Sequence, residues 1–486
     1  MGVYARGKGS EDGNAFDQNV LSKKAFLPFP RGSHVSKVET VPMLCDQCAM
    51  SLPPRGCTSY GVCGKDADLQ SLQEALIYGL KGISAYYYHA RSLGYDDPEI
   101  SYFLASALYK TLTNVDFSKE NFIKMILEAG RIHIKTMELL DKAYVETFGA
   151  PQVVEVPTGT EEGHGILVTG HSYKPLYELL KQIREMGLED EIKVYTHSEM
   201  LPAHSYPKLK AFPSLYGNWG GSWVYQKREF AQFPGVIIGT SNCVQQPTPA
   251  YANRIFTTDI AGLEGVPHLE GDFTPAIKRA LETPRLEKKE GGKLVTGFHH
   301  TNVLPLLDKV IDLINEGKIR HVFVVGGCDL PNPKMSYYKR FTELVPKDSI
   351  ILSAACAKFH YNNRNYGTIE GIPRFMDFGQ CNNVYSILVI ASELAKRLGK
   401  DLNNLPVSIV LSWMEQKAVA ILYSLLYLGI RGIYIGPVLP KFFTPNVLEK
   451  LVKEFDLRLV GDPEKDLHEM LKKGSSVDEG SPVFTS

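Results

Sequence analysis

Apolar residues recur at three- and four-residue spacing from Asp68 to about Tyr144, in "LQSLQEALIYGLKGISAYYYHARSLG", "SYFLASALYKTLTN" and "ENFIKMILEAGRIHIKTMELLDKAYVETFG". That period puts them on one face of successive helices and predicts a short helical bundle. Near Ala150 the pattern breaks, and "PQVVEVPTGTEEG", with Pro and Gly around polar residues, reads as a linker. Beyond it strand alternates with helix: "HGILVTGH" is a short apolar run, "KPLYELLKQIREMG" is helical with one apolar face, and "EIKVYTHSE" is a strand again. A βαβ order of this kind implies a parallel sheet. The signal returns in "GVIIGTSNC", "HVFVVGGCD", "SIILSAAC", "VSIVLSWMEQ" and "GIYIGPVL", and a second boundary falls near Gly292, after "PRLEKKEGG". The fold class expected is multidomain α/β: 1–43 an extension outside the fold, 44–150 a helical domain, and 151–292 and 293–486 two Rossmann-like α/β domains. The pattern leaves open whether those two halves resemble each other.

Length agrees with this, since 486 residues suggest more than one core. The chain is 44% hydrophobic and 22% charged, the composition of an ordinary globular protein. Its 53 basic and 54 acidic side chains include no dense basic run, which argues against nucleic acid as principal ligand. The longest apolar stretch, Ala418 to Leu428, is well short of the roughly 20 residues a bilayer needs. The first residues lack the apolar segment of a signal peptide. A cytoplasmic protein with no membrane partner is expected.

Cysteine changes the picture. Eight in so long a chain are too few for a disulfide scaffold, and half of them, Cys45, Cys48, Cys57 and Cys63, fall within nineteen residues. Four thiolates close tetrahedral zinc or an iron–sulfur cubane equally well. The spacing departs from zinc ribbons, which repeat a second close pair, and from the ferredoxin run. A closed four-thiolate cluster has no open position, so its role is electron transfer and any reacting centre lies elsewhere.

The remaining ligand-type residues fall at strand ends: His171 after "ILVTG", Glu199 after "KVYTHS", Cys243 after "VIIGTSN", Cys328 after "VFVVGG", Cys356 after "ILSAA" and Glu415 after "VSIVLSWM". Open parallel sheets bind ligands outside those carboxyl ends. Cys381 instead opens a helix, "CNNVYSILVIASELAKRLG", whose N-terminal amides favour a thiolate. Singly, each such cysteine is more often a small buried hydrophobe than a ligand. The joint pattern, with small residues beside the sulfurs, argues for metal. The mixture of thiolate, imidazole and carboxylate suits an iron centre with some labile oxygen ligation rather than a regular cubane. Lys417, in "SWMEQKA", could deliver protons to such a centre, and reads equally well as a solvated lysine.

These residues stand in motifs that closely resemble the hybrid-cluster proteins, also called prismane proteins or hydroxylamine reductases: "CDQC…GCTSYGVCGKDADLQ", "LKGISAY", "TLTNVDF", "VTGH", "THSEMLPAH", "GNWGGSW…QKREFAQFPG", "TSNC", "GGCD", "AACAKF", "DFGQCNN" and "SWMEQKA", covering the chain from Leu44 onward. The resemblance implies that Cys45, Cys48, Cys57 and Cys63 hold a proximal [4Fe–4S] cluster. It implies that His171, Glu199, Cys243, Cys328, Cys356, Cys381 and Glu415 hold a hybrid [4Fe-2O-2S]-type cluster, with Cys328 at the persulfide position and Lys417 at the cluster-adjacent lysine. Only about fifty residues separate "TLTNVDF" from "VTGH", where long members insert two helical bundles, so the chain is similar to the short, class III form. The surface so exposed raises a homodimer as an expectation.

The function implied is reduction of small nitrogen oxides, hydroxylamine to ammonia and water or nitric oxide to nitrous oxide, with His171, Glu199, Cys328, Glu415 and Lys417 in catalytic roles. No Gly-rich fingerprint marks a nicotinamide or flavin site, since "VVGGCD" lacks the spaced glycines, so an external ferredoxin or reductase is the expected electron donor. Rival readings are a carbon monoxide dehydrogenase-like enzyme, a nitric oxide sensor or protein S-nitrosylating factor, and a structural zinc protein.

Overall fold

The computed structural model describes residues 43–51, 56–412 and 415–475; the 1–43 extension expected from sequence lies outside the described residues but for Met43. Three helices follow the cysteine-rich turn, α1 (Ala67–Ser92), α2 (Pro98–Lys110) and α3 (Lys119–Phe148). Their starts are those the sequence dictates. Asp66 caps α1 by accepting from the Leu69 amide, Asp97 caps α2 ahead of Pro98, and Ser118 caps α3 by accepting from Asn121.

Two parallel sheets follow. The strands are β1 (Val154–Pro157), β2 (Gly163–Thr169), β3 (Ile192–His197), β4 (Leu215–Asn218), β5 (Val236–Gly239), β6 (Ile255–Thr258), β7 (His268–Leu269), β8 (Arg285–Leu286) and β9 (Lys293–Thr296). After them come β10 (His321–Gly327), β11 (Ser349–Ala354), β12 (Thr368–Ile369), β13 (Ile372–Pro373), β14 (Phe375–Asp377), β15 (Val407–Ser412), β16 (Tyr434–Gly436) and β17 (Arg458–Leu459). The first sheet runs β4-β3-β2-β5-β6-β7, with β8 added antiparallel at the start of β2, and the second runs β14-β11-β10-β15-β16-β17. Both orders are the same permutation: the chain winds outward in one direction, returns to the centre and winds the other way. Each sheet therefore has a topological switch point, between β2 and β5 and between β10 and β15, where a crevice opens at the strand ends.

Two features depart from the sequence reading. The segment taken as a linker contains β1, which pairs antiparallel with β9, Val154 opposite Thr296 and Val156 opposite Leu294. Alternation in "VEVP" supplies one apolar face, and Val154, Val156 and Leu294 pack on Leu201 and Phe359, on the turns that follow β3 and β11. The supposed hinge is a brace under the strand ends.

The second concerns the bundle. The helix Gln416–Tyr427, from the last part of the chain, inserts between α1 and α3, and every residue from Lys417 to Leu426 is buried. Burial on all sides explains its uniform apolarity. Close approach requires small residues on the partners. A Cβ at Gly82 of α1 would lie 2.5 Å from the Gln416 carbonyl oxygen, and one at Gly130 of α3 would lie 2.1 Å from that of Tyr423. Tyr423 Oη donates to the Ala75 carbonyl at 2.8 Å. His133 Nδ1 lies 2.8 Å from Ser424 Oγ, which donates to the Gly130 carbonyl at 3.1 Å. Among the described residues no helix is long and apolar enough to cross a membrane.

Gly82→Ala or Gly130→Ala should lower stability by about 1–3 kcal/mol, the usual cost of overpacking, and shift the helix that begins at Gln416. Thermal melting should drop together with activity, whereas Gly262→Ala, with nothing within 4 Å of its added carbon and no positive φ, should leave activity intact.

Burial depresses the imidazoles of His133, to about 3, and of His204, to about 4. Unfolded histidine titrates near 6.5, so between these values the unfolded chain binds protons that the folded chain refuses, and stability falls as pH drops from about 6.5. The slope should reach on the order of 1 kcal/mol per pH unit per imidazole. His133→Asn, which keeps a polar atom near Ser424, should flatten the dependence of the urea midpoint between pH 7 and 5.

Candidate metal centre

The carboxyl ends of the two sheets carry the ligand-type residues. His171 and Glu199 each follow their strands, β2 and β3, by two residues, and Cys243 follows β5 by four; these are three adjacent strands of the first sheet. Cys356, Cys328 and Glu415 follow β11, β10 and β15, three adjacent strands of the second, and Cys381 follows β14, next to β11. Glu415 caps the inserted helix by accepting from the Lys417 amide at 3.1 Å. Cys381 opens a short 3-10 turn, Cys381–Asn383, that leads into the helix Val384–Leu398.

The two sets face each other. The ligand atoms of His171, Glu199 and Cys381 all lie within 4.8 Å of one another, although residues 171 and 381 belong to different sheets. Cys381 Sγ is 3.8 Å from His171 Nε2, and His171 Nε2 is 3.9 Å from Glu199 Oε2. Cys328 Sγ is 3.9 Å from Glu415 Oε2, Ser198 Oγ is 3.7 Å from Cys356 Sγ, and Cys356 lies within electrostatic reach of Cys243, Glu199 and Cys328. All seven residues expected from sequence therefore meet in one place.

Lys417 is not a solvated lysine. It is buried, and its Nζ lies 3.0 Å from His171 Nε2, 3.1 Å from Asn242 Oδ1 and 4.0 Å from Glu415 Oε1. Burial alone would lower its pKa, but Cys381, Glu415, Cys243 and Cys328 around it drive the net shift upward and keep it an ammonium. Burial and then Lys417 depress His171, so the imidazole is neutral and offers a lone pair.

Backbone strain marks the same ends. Ser198, Cys243 and Ala355 adopt positive φ values of 54°, 67° and 70°, a conformation costly for side-chain-bearing residues, and they are a predicted ligand or the residue just before one. The turns are over-determined by neighbours that sequence reasoning missed. Gln380 Nε2 donates to the carbonyls of Glu199 at 2.7 Å and His171 at 3.1 Å, joining the two halves. Lys358 and Asp377, both wholly buried, pair at 3.0 Å, and Lys358 Nζ also donates to the Gly379 carbonyl at 2.8 Å, tying the Cys356 turn to the Cys381 loop. Asn242 Nδ2 reaches Cys243 Sγ at 3.5 Å. All lie inside the motifs "DFGQCNN", "AACAKF" and "TSNC", which was the signal available.

The donors lack a counter-charge. Loss of water raises the Cys328 thiol well above its usual value, and the neighbouring Glu415 adds to this. Cys356 is raised first by its contact with Cys243 and then by burial, and Cys381 is pushed by burial to about 12. Burial also raises Glu199, against the pull of Lys358 and Lys417, and neither of its carboxylate oxygens has a hydrogen-bond partner. His171 Nδ1 is likewise without one. Buried polar atoms are normally satisfied, so orphaned oxygens beside thiols that need positive charge to ionise fit a metal core. The set could hold iron through sulfur, nitrogen and oxygen donors together.

The N-terminal cysteines form a separate group. Cys45 and Cys57 exchange backbone hydrogen bonds of 3.0 and 2.9 Å across an isolated bridge and are buried against Met43, while Cys48 and Cys63 sit half-buried on the flanking turns. Lys65 donates to Gln70 and Gln73 at 2.7 and 2.5 Å, anchoring this turn to α1.

Comparisons with known proteins agree with this architecture. The Prismane/CO dehydrogenase family model matches residues 43–129 and 93–468. A hydroxylamine reductase of Moorella thermoacetica is 53% identical over 430 residues, covering 88% of this chain and 100% of that protein. A hydroxylamine reductase of Thermotoga maritima is 51% identical over 432 residues, covering 88% and 99%. Among solved structures, a nickel-free carbon monoxide dehydrogenase from Thermococcus sp. AM4 superposes with a TM-score of 0.71 over 90% of this chain and 91% of that one, at 16% identity, a likeness of fold. The chain belongs to the Prismane/CO dehydrogenase family and is an iron–sulfur oxidoreductase.

Proposed function

We propose that the chain reduces hydroxylamine to ammonia and water, and nitric oxide to nitrous oxide, at a hybrid 4Fe centre held by His171, Glu199, Cys243, Cys328, Cys356, Cys381 and Glu415. Cys45, Cys48, Cys57 and Cys63 would hold a [4Fe–4S] cluster that relays electrons. The observation that carries the reading is the convergence of four thiols, an imidazole and two carboxyls, Glu199 with no hydrogen-bond partner, around one buried ammonium. When bound, such a core supplies the electrons and the exchangeable iron positions that N–O bond cleavage needs. The relatives named hydroxylamine reductase support the substrate class.

The chain's own groups then do the following. Lys417 holds a proton at Nζ within the pocket, and hydroxylamine reduction consumes two protons with two electrons. Asn242 and His171 fix the direction of that ammonium. Glu199, with neither oxygen engaged by the protein, is the carboxylate freest to exchange its position for substrate. Gln380 and the Lys358–Asp377 pair hold the turns in register. The two carboxylates, Glu199 and Glu415, favour this reading over carbon monoxide dehydrogenase-like chemistry at a nickel–iron site. The division into 44–150, 151–292 and 293–486 belongs to the proposal, with Cys328 as a persulfide position, an external ferredoxin or reductase as donor, a cytoplasmic location and a homodimer.

Anaerobically prepared protein should contain about eight irons per chain, the sum of two four-iron centres, and no stoichiometric nickel. One nickel per chain, or zinc in place of iron, would sink the assignment. Glu199→Ala should cut hydroxylamine turnover with a reduced viologen by on the order of a hundredfold while the spectrum of the N-terminal cluster stays as in wild type. Turnover unchanged in that variant would remove Glu199 from the reaction. Lys417→Gln should depress kcat by a similar factor of about 10² at unchanged iron content.

A further inference from the structure

A second constellation of ligand-type side chains lies outside the strand-end site. Asp141, buried on α3, faces His299 and His300 at the junction that follows β9, and one ligand atom from each of the three lies within 4.8 Å of the other two. His299 Nε2 is 2.8 Å from Asp141 Oδ1, and the two imidazole rings lie with centroids 4.0 Å apart, tilted by 37°.

Each imidazole is fixed through one nitrogen by a hydroxyl: His299 Nδ1 lies 2.9 Å from Thr301 Oγ1, and His300 Nδ1 lies 3.0 Å from Ser386 Oγ. Metal-binding histidines are held in this way, one nitrogen oriented by a neighbour and the other turned to the ion. A carboxylate–imidazole pair by itself explains Asp141 and His299. It does not explain a second imidazole held against the first and separately anchored by a serine on another helix.

We propose that Asp141, His299 and His300 form a mononuclear site for a divalent transition-metal ion. Two imidazoles and one carboxylate are a donor set for zinc or ferrous iron, with water completing the coordination. The ion ties α3 to the second sheet's half of the molecule, since Asp141 belongs to the former and His299, His300 and Ser386 to the latter. The inference is independent of what the seven-residue site contains.

The test uses anaerobic holoprotein dialysed against buffered Zn2+, with zinc measured by mass spectrometry and the iron–sulfur absorption followed in parallel. Wild type should take up one zinc per chain, with half-saturation below about 10 µM, and should melt at a higher temperature with zinc than without. Asp141→Asn and His300→Gln, which keep side-chain size and polarity, should each weaken uptake by at least about tenfold and abolish the zinc-dependent rise in Tm, at unchanged cluster absorption. Wild type that binds no stoichiometric zinc overturns the proposal whatever the variants do. Equal zinc uptake in wild type and in either variant overturns it as well, and leaves Asp141–His299 as a hydrogen-bonded tie only.

Discussion

Uncompensated donors crowd the strand ends. Three thiols, Cys328, Cys356 and Cys381, are displaced upward in pKa by lost solvation and mutual proximity, and the two oxygens of Glu199 have no partner, while one ammonium, Lys417, sits among them. Bringing ionised thiolates and carboxylates together in low dielectric costs far more than a single lysine returns. Without further positive charge the three thiols hold their protons. A multivalent metal core would substitute for those protons, so its binding and the ionisation of its ligands would be one equilibrium.

An arrangement so unfavourable by itself needs a rigid frame. The frame is supplied from both sides. Above, Gly82 and Gly130 admit the helix Gln416–Tyr427 to backbone contact with α1 and α3, which fixes Glu415 and Lys417 at its first turn. Below, the β1–β9 pair lays its apolar face against Leu201 and Phe359, two and three residues beyond Glu199 and Cys356. Positive φ at Ser198 and Ala355 is held by the bond from Gln380 to the Glu199 carbonyl and by that from the Ala355 amide to the Gly379 carbonyl, and at Cys243 by Gln226, which donates to the Cys243 carbonyl.

Much of this was legible in the sequence because strand ends are legible. A short apolar run followed by small residues and then His, Glu or Cys locates both the element and the end at which that side chain stands, and six of the seven residues that meet at the strand ends were read in that way. Cys381 was found through the helix it precedes. The destination of "AVAILYSLLYL" was not legible: an all-apolar helix announces burial but not which surfaces bury it, and here they are helices more than 280 residues earlier, as the His133–Ser424 contact shows. The segment "VVEVP" read as a linker because a four-residue strand carries too little alternation to outweigh flanking Pro and Gly. Gln380, Asn242 and Lys358 escaped because an amide or a lysine becomes functional only through its partners, which the chain does not list in order.

The two sheets share one strand order, and their donors occupy corresponding places. His171 matches Cys328 at the first strand of each, Glu199 matches Cys356 at the second, and Cys243 matches Glu415 across the switch point. Each half thus brings three donors at equivalent positions, with soft and hard groups interchanged, and Cys381 is the one without a counterpart of ligand type, since Trp219, Gly220, Gly221 and Ser222 follow β4. Neither half alone assembles a closed coordination set. The contacts that complete it, Cys381 with His171, Lys417 with Asn242, and Gln380 with the Glu199 carbonyl, all cross between the halves. Loading of the proposed site and docking of the two sheets would therefore be coupled: whatever separates the halves would release a core held there, and such a core would tie together two units that each bring only part of its donor set.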